Sequence, residues 1–312
     1  MPNNQTKAIT QGAMMIALFL VLMALAYYVP IVNLIALIVA PLPIAWYSAT
    51  YERGKSITIS FLAVVASIII GNIMILPFAF ILSLVGLVIG DCLRQKKSKL
   101  FLLMATGTAI LLTFAIQFLV MTRFFSFNFI DEGMKLAQES YKDSIEYSAK
   151  ITGNTIPKEQ LTQMFDMMQT IIPASITIMV FSLAFIMVVV NLKILKHLNV
   201  QVPKFAPFRD MRLPRAVLWY YLIVLSINLF IHPEIGTILY VITMNLSIIL
   251  WVLLTLQGIS FIHFVIDTFN YPPFLKVLST IVAIPLYSFV LLLGIIDLGF
   301  NLRDWVKAKS EK

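Results

Sequence analysis

Long runs of apolar residues alternate with short charged loops along most of this chain. In the N-terminal half these runs cover 11–29, 31–50, 56–93 and 100–122. A membrane-spanning helix needs about 20 apolar residues. The 38-residue run from Ser56 to Leu93 is too long for one crossing and fits two. The pattern therefore predicts five spanning helices before residue 123.

Prolines mark the expected breaks within these runs. Pro30 predicts a tight turn between the first two spans. Pro41 and Pro43 lie inside the second span, where a missing backbone N–H kinks or breaks a helix. Pro77 lies near the middle of the 56–93 run and is expected to be its hinge.

The segment 124–170 differs from the rest because it carries seven acidic residues. Apolar and small residues recur there at three- and four-residue steps from Met134 to Ser148, which indicates an amphipathic helix. Gly153 and Asn154 are expected to end that helix, and Pro157 is expected to begin a second short one. The segment is predicted to be the only extramembrane domain.

The apolar pattern resumes at Ile171. Spans are predicted over 171–195, 216–231, 235–256 and 274–300, with 257–270 prolonging the third of them. The fold class is therefore all-α, a polytopic transmembrane helix bundle with 8–9 spans and one external amphipathic helical segment. The predicted regions are 1–123 (N-terminal transmembrane), 124–170 (external), 171–302 (C-terminal transmembrane) and 303–312 (basic tail).

Composition supports this prediction and excludes other classes. The 312 residues are 60% hydrophobic and 12% charged, with a mean hydropathy of +0.93. Soluble domains carry about 25% charged residues. The net charge of +8 does not indicate nucleic-acid binding, because the basic residues lie in short loops between apolar runs. A single cysteine, Cys92, excludes an intrachain disulfide.

The basic residues also predict the orientation. With the N-terminus in the cytoplasm of a bacterial cell, thirteen Lys and Arg fall in inward segments, against five in the external one. The protein is therefore expected in the plasma membrane with a cytoplasmic N-terminus. Nine crossings would place the basic tail outside, so either 235–270 crosses twice or the tail breaks the rule.

Ionisable residues near membrane spans are costly and are the first candidates for function. Asp91 and Arg94 end the fourth span and are interpreted as an ion pair at the helix end. His263 and Asp267 share a helix face and can interact directly, as a helix-end pair or as a proton relay. One His and one Asp are too few for a metal site, so no metal is predicted.

The end of the last span holds the most informative candidates. Asp297 is the only acid of that span, and Arg303 follows six residues later, off its face in an ideal helix. We predict that the two together hold the end of the last helix against another span or a partner. Polar amides within the spans are expected mainly to join helices; they are Asn72, Gln117, Asn191, Asn228, Asn245 and Gln257.

Sequence motifs of enzymes are absent. The chain has no Gly-x-Ser-x-Gly, no His-Glu-x-x-His and no P-loop, so no catalytic residue, cofactor or ATP hydrolysis is predicted. Energy for any transport would come from a gradient or from an ATPase partner.

Four short stretches resemble the YybS-like family of bacterial multipass membrane proteins. They are Pro41-Leu42-Pro43 with Tyr51-Glu52-Arg53-Gly54, Leu84–Arg94, Leu256-Gln257-Gly258 and Gly294–Arg303. That family is distantly similar in helix arrangement to the S components of energy-coupling-factor vitamin transporters. The resemblance implies a gene neighbourhood with a membrane-bound cyclic-di-AMP phosphodiesterase.

Two functions of different classes stay open from the sequence. One is a transport subunit that binds a small molecule between its spans, as an S component does. The other is a membrane scaffold or regulator of a partner such as the cyclic-di-AMP phosphodiesterase. Substrate, partner, oligomeric state and the side of the C-terminus do not follow from the sequence.

Overall fold

The computed structural model of the protein describes residues 4–152, 158–203 and 207–310. Every regular element over these ranges is helical, as the apolar runs predict. Contacts divide the chain into two compact units. The N-terminal unit comprises Met1–Tyr147 and Thr177–Lys204, and the C-terminal unit comprises Ser148–Ile176 and Phe205–Lys312.

The N-terminal unit is built mainly from spanning helices, several of them interrupted. Its elements are α1 (Asn4–Tyr28), α2 (Asn33–Val39), α3 (Leu42–Thr50), α4 (Arg53–Ala66), α5 (Ile68–Gly71), α6 (Leu76–Arg94), α7 (Lys99–Phe124), the greater part of α8 (Phe129–Thr152) and the latter part of α9 (Lys158–His197). The predicted break at Pro41 and Pro43 is confirmed, because α2 ends before them and α3 begins among them.

The predicted hinge at Pro77 is wrong by about one turn. The chain breaks at Asn72, which has a positive φ of 57° and accepts a hydrogen bond from the Met74 N–H. Pro77 instead lies in the first turn of α6. The backbone N–H groups of the first helical turn have no partner within the helix. A proline, which lacks this N–H, therefore fits at the start of a helix without breaking it.

The segment 124–170, which was predicted to be external, differs in part from its predicted helices. α8 is the expected helix, and Phe129 at its start stacks on Phe114 and Phe118 of α7. The predicted second short helix is instead the start of α9, a continuous helix of 40 residues. The expected break at Gly153 and Asn154 lies outside the described residues, as does Pro157.

An asparagine side chain from another helix compensates for the disturbed backbone hydrogen bonding of α9 at its internal proline, Pro173. The Asn245 side chain accepts a hydrogen bond from the Ala174 N–H and donates one to the Thr170 carbonyl, both at 2.8 Å. These two backbone groups would pair directly in a regular helix. The amide therefore replaces one helical hydrogen bond with two and holds the span together.

The C-terminal unit continues with five further helices, of which α10 is extended by a π-helical turn over Ile227–Ile231. They are α10 (Ala216–Ser226), α11 (Ile238–Thr268), α12 (Phe274–Ala283), α13 (Tyr287–Phe300) and α14 (Leu302–Ser310). α11 is one uninterrupted helix of 31 residues, which excludes two crossings between 235 and 270. At 1.5 Å per residue it is about 46 Å long, longer than a bilayer core of about 30 Å.

The predicted last span, 274–300, is not one helix. α12 and α13 are bent by 110° at a short break that contains Pro285. Lys276 at the start of α12 pairs with Asp267, and Arg303 just beyond α13 bonds to Ser260. Both ends of the bent pair therefore contact the same segment of α11, residues 257–268. This is the geometry of a hairpin that returns to the side it came from.

Seven of the described helical segments are long and apolar enough to cross a membrane, or eight if the bent pair is one span. The shorter apolar segment Ala216–Ile231 adds a further candidate. Large apolar side chains point outward along the spans, as lipid contact requires. The chain is thus a polytopic α-helical membrane protein.

Candidate functional site

A buried ion pair lies at the end of the C-terminal unit where α11, α13 and α14 meet. Arg303 is 1% exposed and Asp297 is 5% exposed. The Arg303 Nε donates to Asp297 Oδ2 at 3.0 Å. The sequence predicted that these two residues act together, and the structure brings them into contact.

The turn between α13 and α14 makes this contact feasible. Asn301 adopts the left-handed conformation with φ 52° and ends α13. The chain then starts α14 in a new direction, so ideal helical spacing no longer applies to Arg303. Asn tolerates this conformation better than most residues. The asparagine was therefore the sequence signal for the pairing, which spacing alone placed on different faces.

Gln257 completes the coordination of Asp297. Its Nε2 donates to Asp297 Oδ2 at 2.6 Å, and its Oε1 accepts the Leu213 N–H at 2.9 Å. The fully buried amide thus connects the C-terminal half of α11 with α13 and with the loop before α10. A buried carboxylate needs such partners because it has lost its water.

The remaining donors of Arg303 bind the same loop. Nη1 donates to the Arg209 carbonyl at 2.5 Å, and Nη2 donates to the Met211 carbonyl at 3.0 Å and to Ser260 Oγ at 3.1 Å. The guanidinium also lies 5.4 Å from the ring of Phe264. One arginine therefore holds α11, α13, α14 and the loop together.

Ser260 is a site residue that sequence reasoning missed. It is fully buried, and its Oγ lies 2.8 Å from the Phe208 carbonyl and 3.0 Å from the Met211 carbonyl. It follows Gln257 by three residues, so the two polar side chains share one face of α11. That spacing was the available signal.

Two glycines let α11 and α13 approach closely beside this ion pair. A Cβ added at Gly258 would lie 2.0 Å from the Val290 carbonyl oxygen, and one at Gly294 would lie 2.1 Å from the Leu254 carbonyl oxygen. Real side chains do not tolerate such distances, so any larger residue would separate the helices. Close packing at small residues is a common means of helix association in membranes.

His263 and Asp267 lie nearby but do not hydrogen bond to each other. The His263 Nε2 is 3.0 Å from both the Lys276 carbonyl and Thr280 Oγ1. Asp267 pairs with Lys276 and, at 2.8 Å, with Arg209 Nη1. The bond to Asp267 raises the pKa of the Arg209 guanidinium above its ordinary value. Both candidates thus anchor α12 and the loop.

Asp91 and Arg94 form the predicted ion pair at the end of α6, in the N-terminal unit. Arg94 Nη1 also donates to the Tyr51 carbonyl at 2.7 Å, and the Gln95 amide donates to Asp91 at 2.6 Å. The pair therefore joins the end of α6 to the loop after α3. Gly86 and Gly90 let α6 approach the backbone of α3, in keeping with a small-residue contact.

The in-span amides are engaged in the fold. Gln117 donates to the Pro77 carbonyl at 2.9 Å, and Asn191 donates to the Ile38 carbonyl at 2.8 Å, in each case next to a helix break. Asn228 donates to Ser247 Oγ at 3.2 Å. Asn72, Asn245 and Gln257 have the partners described above. These side chains join helices, as expected from the sequence, except Asn72, whose hydrogen bond with the Met74 N–H caps its own local turn.

Comparison with known proteins places the chain in a family. A family profile described as "Predicted membrane protein (DUF2232)" matches residues 17–298. The chain belongs to this family. It is 28% identical over 311 residues to the uncharacterized protein YybS of Bacillus subtilis (strain 168), which covers 97% of this chain and 100% of the relative.

The resemblance to YybS-like proteins is thereby confirmed. No solved structure matches the chain. The DUF2232 match ends at Leu298, so it includes Asp297 and Gln257 but not Arg303. Within the described part of the chain no three His, Cys, Asp or Glu side chains are grouped as metal ligands are.

Proposed function

We propose that this DUF2232 protein is a membrane scaffold that presents the basic end of its C-terminal unit to a partner protein. The basic end is defined as residues 207–215, the end of α11 from Gln257 to Thr268, and α14. One observation carries the proposal. A fully buried arginine locks the loop, α11, α13 and α14 into one arrangement, as a preorganised binding surface requires.

The helix α14 supplies the exposed part of this surface. Val306 and Leu302 pack against α11, while Trp305 is 65% exposed. Lys307 and Lys309 are exposed as well, and Lys309 lies 5.3 Å from the Trp305 ring. An exposed tryptophan beside lysines suits a partner with an acidic surface and an apolar pocket.

The transport function receives less support from the spans. A subunit that binds a solute between its helices needs polar side chains that are free to contact the solute. The amides Gln117, Asn191, Asn228 and Asn245 instead bond to backbone or side chains. The abundance of Asn and Gln in the spans is therefore explained by contacts between helices and does not indicate a binding cavity.

One observation favours the transport function as a second candidate. An open apolar cavity of about 550 Å³ lies between α11 and α12, lined by Phe261, Val265, Leu278 and Val282 among others. Its size falls within the roughly 300–1,000 Å³ of small-molecule pockets. An S-component-like subunit could hold an apolar solute there and would dock on a coupling subunit with ATPases.

Copurification from native membranes separates the two functions. The full chain is purified with its copurifying proteins and small molecules, which are identified by mass spectrometry. We expect a single signalling enzyme, and the membrane-bound cyclic-di-AMP phosphodiesterase is the first to test. A coupling subunit with an ATPase pair would instead favour transport.

Substitutions in α14 make this test specific to the proposed surface. Trp305→Ala with Lys309→Glu should remove most of the partner, because both side chains are exposed and neither supports the buried ion pair. Lys193→Glu at the end of α9 is the matched control, since it makes the same charge change at another exposed lysine. Equal partner recovery in the two variants would contradict the scaffold proposal.

A further inference from the structure

A small polar cavity opens beside the buried ion pair. It has a volume of about 200 Å³ and is lined by Arg212, Leu213, Arg215, Gln257, Asp297, Leu298 and Asn301. The lining thus combines two arginines and two amides with one carboxylate. Four of these residues, Arg212, Leu213, Arg215 and Gln257, belong to the basic end, so the cavity lies within it. None of the exposed lysines of α14 contributes, so the cavity is separate from the part of that surface that α14 exposes.

The cavity lining carries more positive charge than negative charge, because its one carboxylate is already paired. Arg303 and Gln257 satisfy Asp297 from within the protein. Arg215 makes no ion pair or hydrogen bond through its side chain to any residue that the structure describes. Arg212 makes only a long contact of 3.8 Å with Asp304, which is 64% exposed. Both guanidinium groups are therefore available to an anion.

Two further features favour an anion at this position. Asn301 lines the cavity with a side chain that forms no hydrogen bond among the described residues. Arg215 is the N-cap residue of α10, so the positive end of that helix dipole adds to the potential. Unused donors from two elements and a helix N-terminus thus surround one cavity.

The size of the cavity and its place beside α10 restrict the anion further. About 200 Å³ is smaller than pockets that enclose a whole small molecule, so the cavity fits a group of a larger molecule or a small ion. The apolar helix α10 begins directly after Arg215 and is a shorter candidate span, so as a crossing it would place the arginines at the edge of the hydrocarbon. Lipid phosphates lie at that level.

We propose that this cavity binds a phosphate group through Arg212, Arg215 and Asn301. Arginine matches the oxygen geometry of phosphate with two parallel hydrogen bonds. The phosphate belongs either to the headgroup of an anionic lipid or to a soluble phosphate. The inference goes beyond the scaffold proposal, since it holds whether or not a protein binds α14.

Native mass spectrometry of the full chain tests the lipid source. The protein is released from nanodiscs that contain phosphatidylglycerol in phosphatidylcholine, and retained phosphatidylglycerol is counted per chain. Arg215→Gln should lower retention of one lipid about tenfold, because one charge-assisted contact is lost. Lys193→Gln, which removes an exposed charge from the end of α9, should change it little.

A substitution at Asn301 separates binding from folding. Asn301→Gly removes the amide but suits the left-handed conformation, with φ 52°, at least as well as asparagine does. We expect wild-type thermal stability without added ligand and weakened lipid retention. Retention equal to wild type in both Asn301→Gly and Arg215→Gln would overturn the proposal.

The soluble source is tested with inorganic phosphate. Titration into the detergent-solubilised chain should raise its melting temperature in the wild type and not in Arg215→Gln, if the natural ligand is a soluble phosphate. Lipid retention that depends on Arg215 without any phosphate-induced shift assigns the site to the headgroup. Neither effect in the wild type would refute phosphate binding at this cavity.

Discussion

Removing Arg303 should destabilise the C-terminal unit more than removing the charge of Asp297. Arg303→Gln abolishes the bonds of the guanidinium to Asp297, Ser260 and two loop carbonyls. It also leaves Asp297 charged and buried with only Gln257 as a partner. Breaking a buried ion pair in this way costs about 3–5 kcal/mol of unfolding free energy.

Asp297→Asn is expected to cost less. The asparagine oxygen can still accept a hydrogen bond from Gln257 or Arg303, and the guanidinium keeps its contacts with the loop carbonyls and Ser260. The loss is then mainly that of a charge-assisted bond, about 1–3 kcal/mol. The structure thus predicts an asymmetry between the two single variants.

The double variant measures the coupling between the two residues. Asp297→Asn with Arg303→Gln leaves no uncompensated charge, so it should be no less stable than Arg303→Gln alone. Unfolding free energies are measured by titrating sodium dodecyl sulfate into mixed micelles. Additive losses of about 4–8 kcal/mol would show that the two residues act independently, and the proposed pairing would be discarded.

An exposed arginine provides the matched control for this cycle. Arg212 carries the same charge in the same unit but is half exposed, and it lies 3.8 Å from Asp304. Exposed ion pairs contribute about 0.2–1 kcal/mol. Arg212→Gln should therefore change the unfolding free energy little, and a loss comparable to that of Arg303→Gln would indicate a general effect of charge.

Three further predictions test the packing and the topology. Gly258→Ala should separate α11 from α13 and strongly lower the melting temperature, because its Cβ would lie 2.0 Å from a carbonyl oxygen. Gly54→Ala is the control and should leave the melting temperature unchanged, because the space around Gly54 is open. Asn245→Ala should lower the unfolding free energy by about 1–3 kcal/mol, as two backbone groups lose their partner in the span; an unchanged value would show that water replaces the amide. In a background without the native cysteine, an impermeant reagent on intact cells should label Lys142→Cys and not Lys309→Cys; the reverse pattern would overturn the predicted orientation.

The spans followed from the sequence because the bilayer sets their length. Runs of about 20 apolar residues without charges are predicted as helices from physics alone, and most of the expected spans are present. Where a helix breaks was harder to predict. Proline indicates a break only inside a helix, so the break at Pro41 was predicted correctly, whereas Pro77 begins a helix that had already broken at Asn72.

The candidate site was predictable as far as its charged residues are concerned. Asp297 and Arg303 stand out because charges near the end of an apolar span need partners. The third element of the site, the loop from Phe208 to Met211, contributes backbone carbonyls, which every residue possesses. No sequence pattern distinguishes those carbonyls. Ser260 was overlooked although its three-residue spacing from Gln257 was a signal, because two of its three partners are such carbonyls.

The bend between α12 and α13 determines on which side of the membrane the basic tail lies. Nine predicted crossings would have placed that tail outside, against the positive-inside rule. A single last span would carry the tail to the opposite side from the end of α11. Lys276 and Arg303, which flank the bent pair, instead both contact the segment 257–268 of α11. A hairpin that enters and leaves on one side adds no crossing, so the tail stays on the side where α11 ends. With the predicted cytoplasmic N-terminus, and with the shorter apolar segment Ala216–Ile231 counted as a crossing beside the seven long ones, this places the basic residues of α14 on the side where the positive-inside rule expects them.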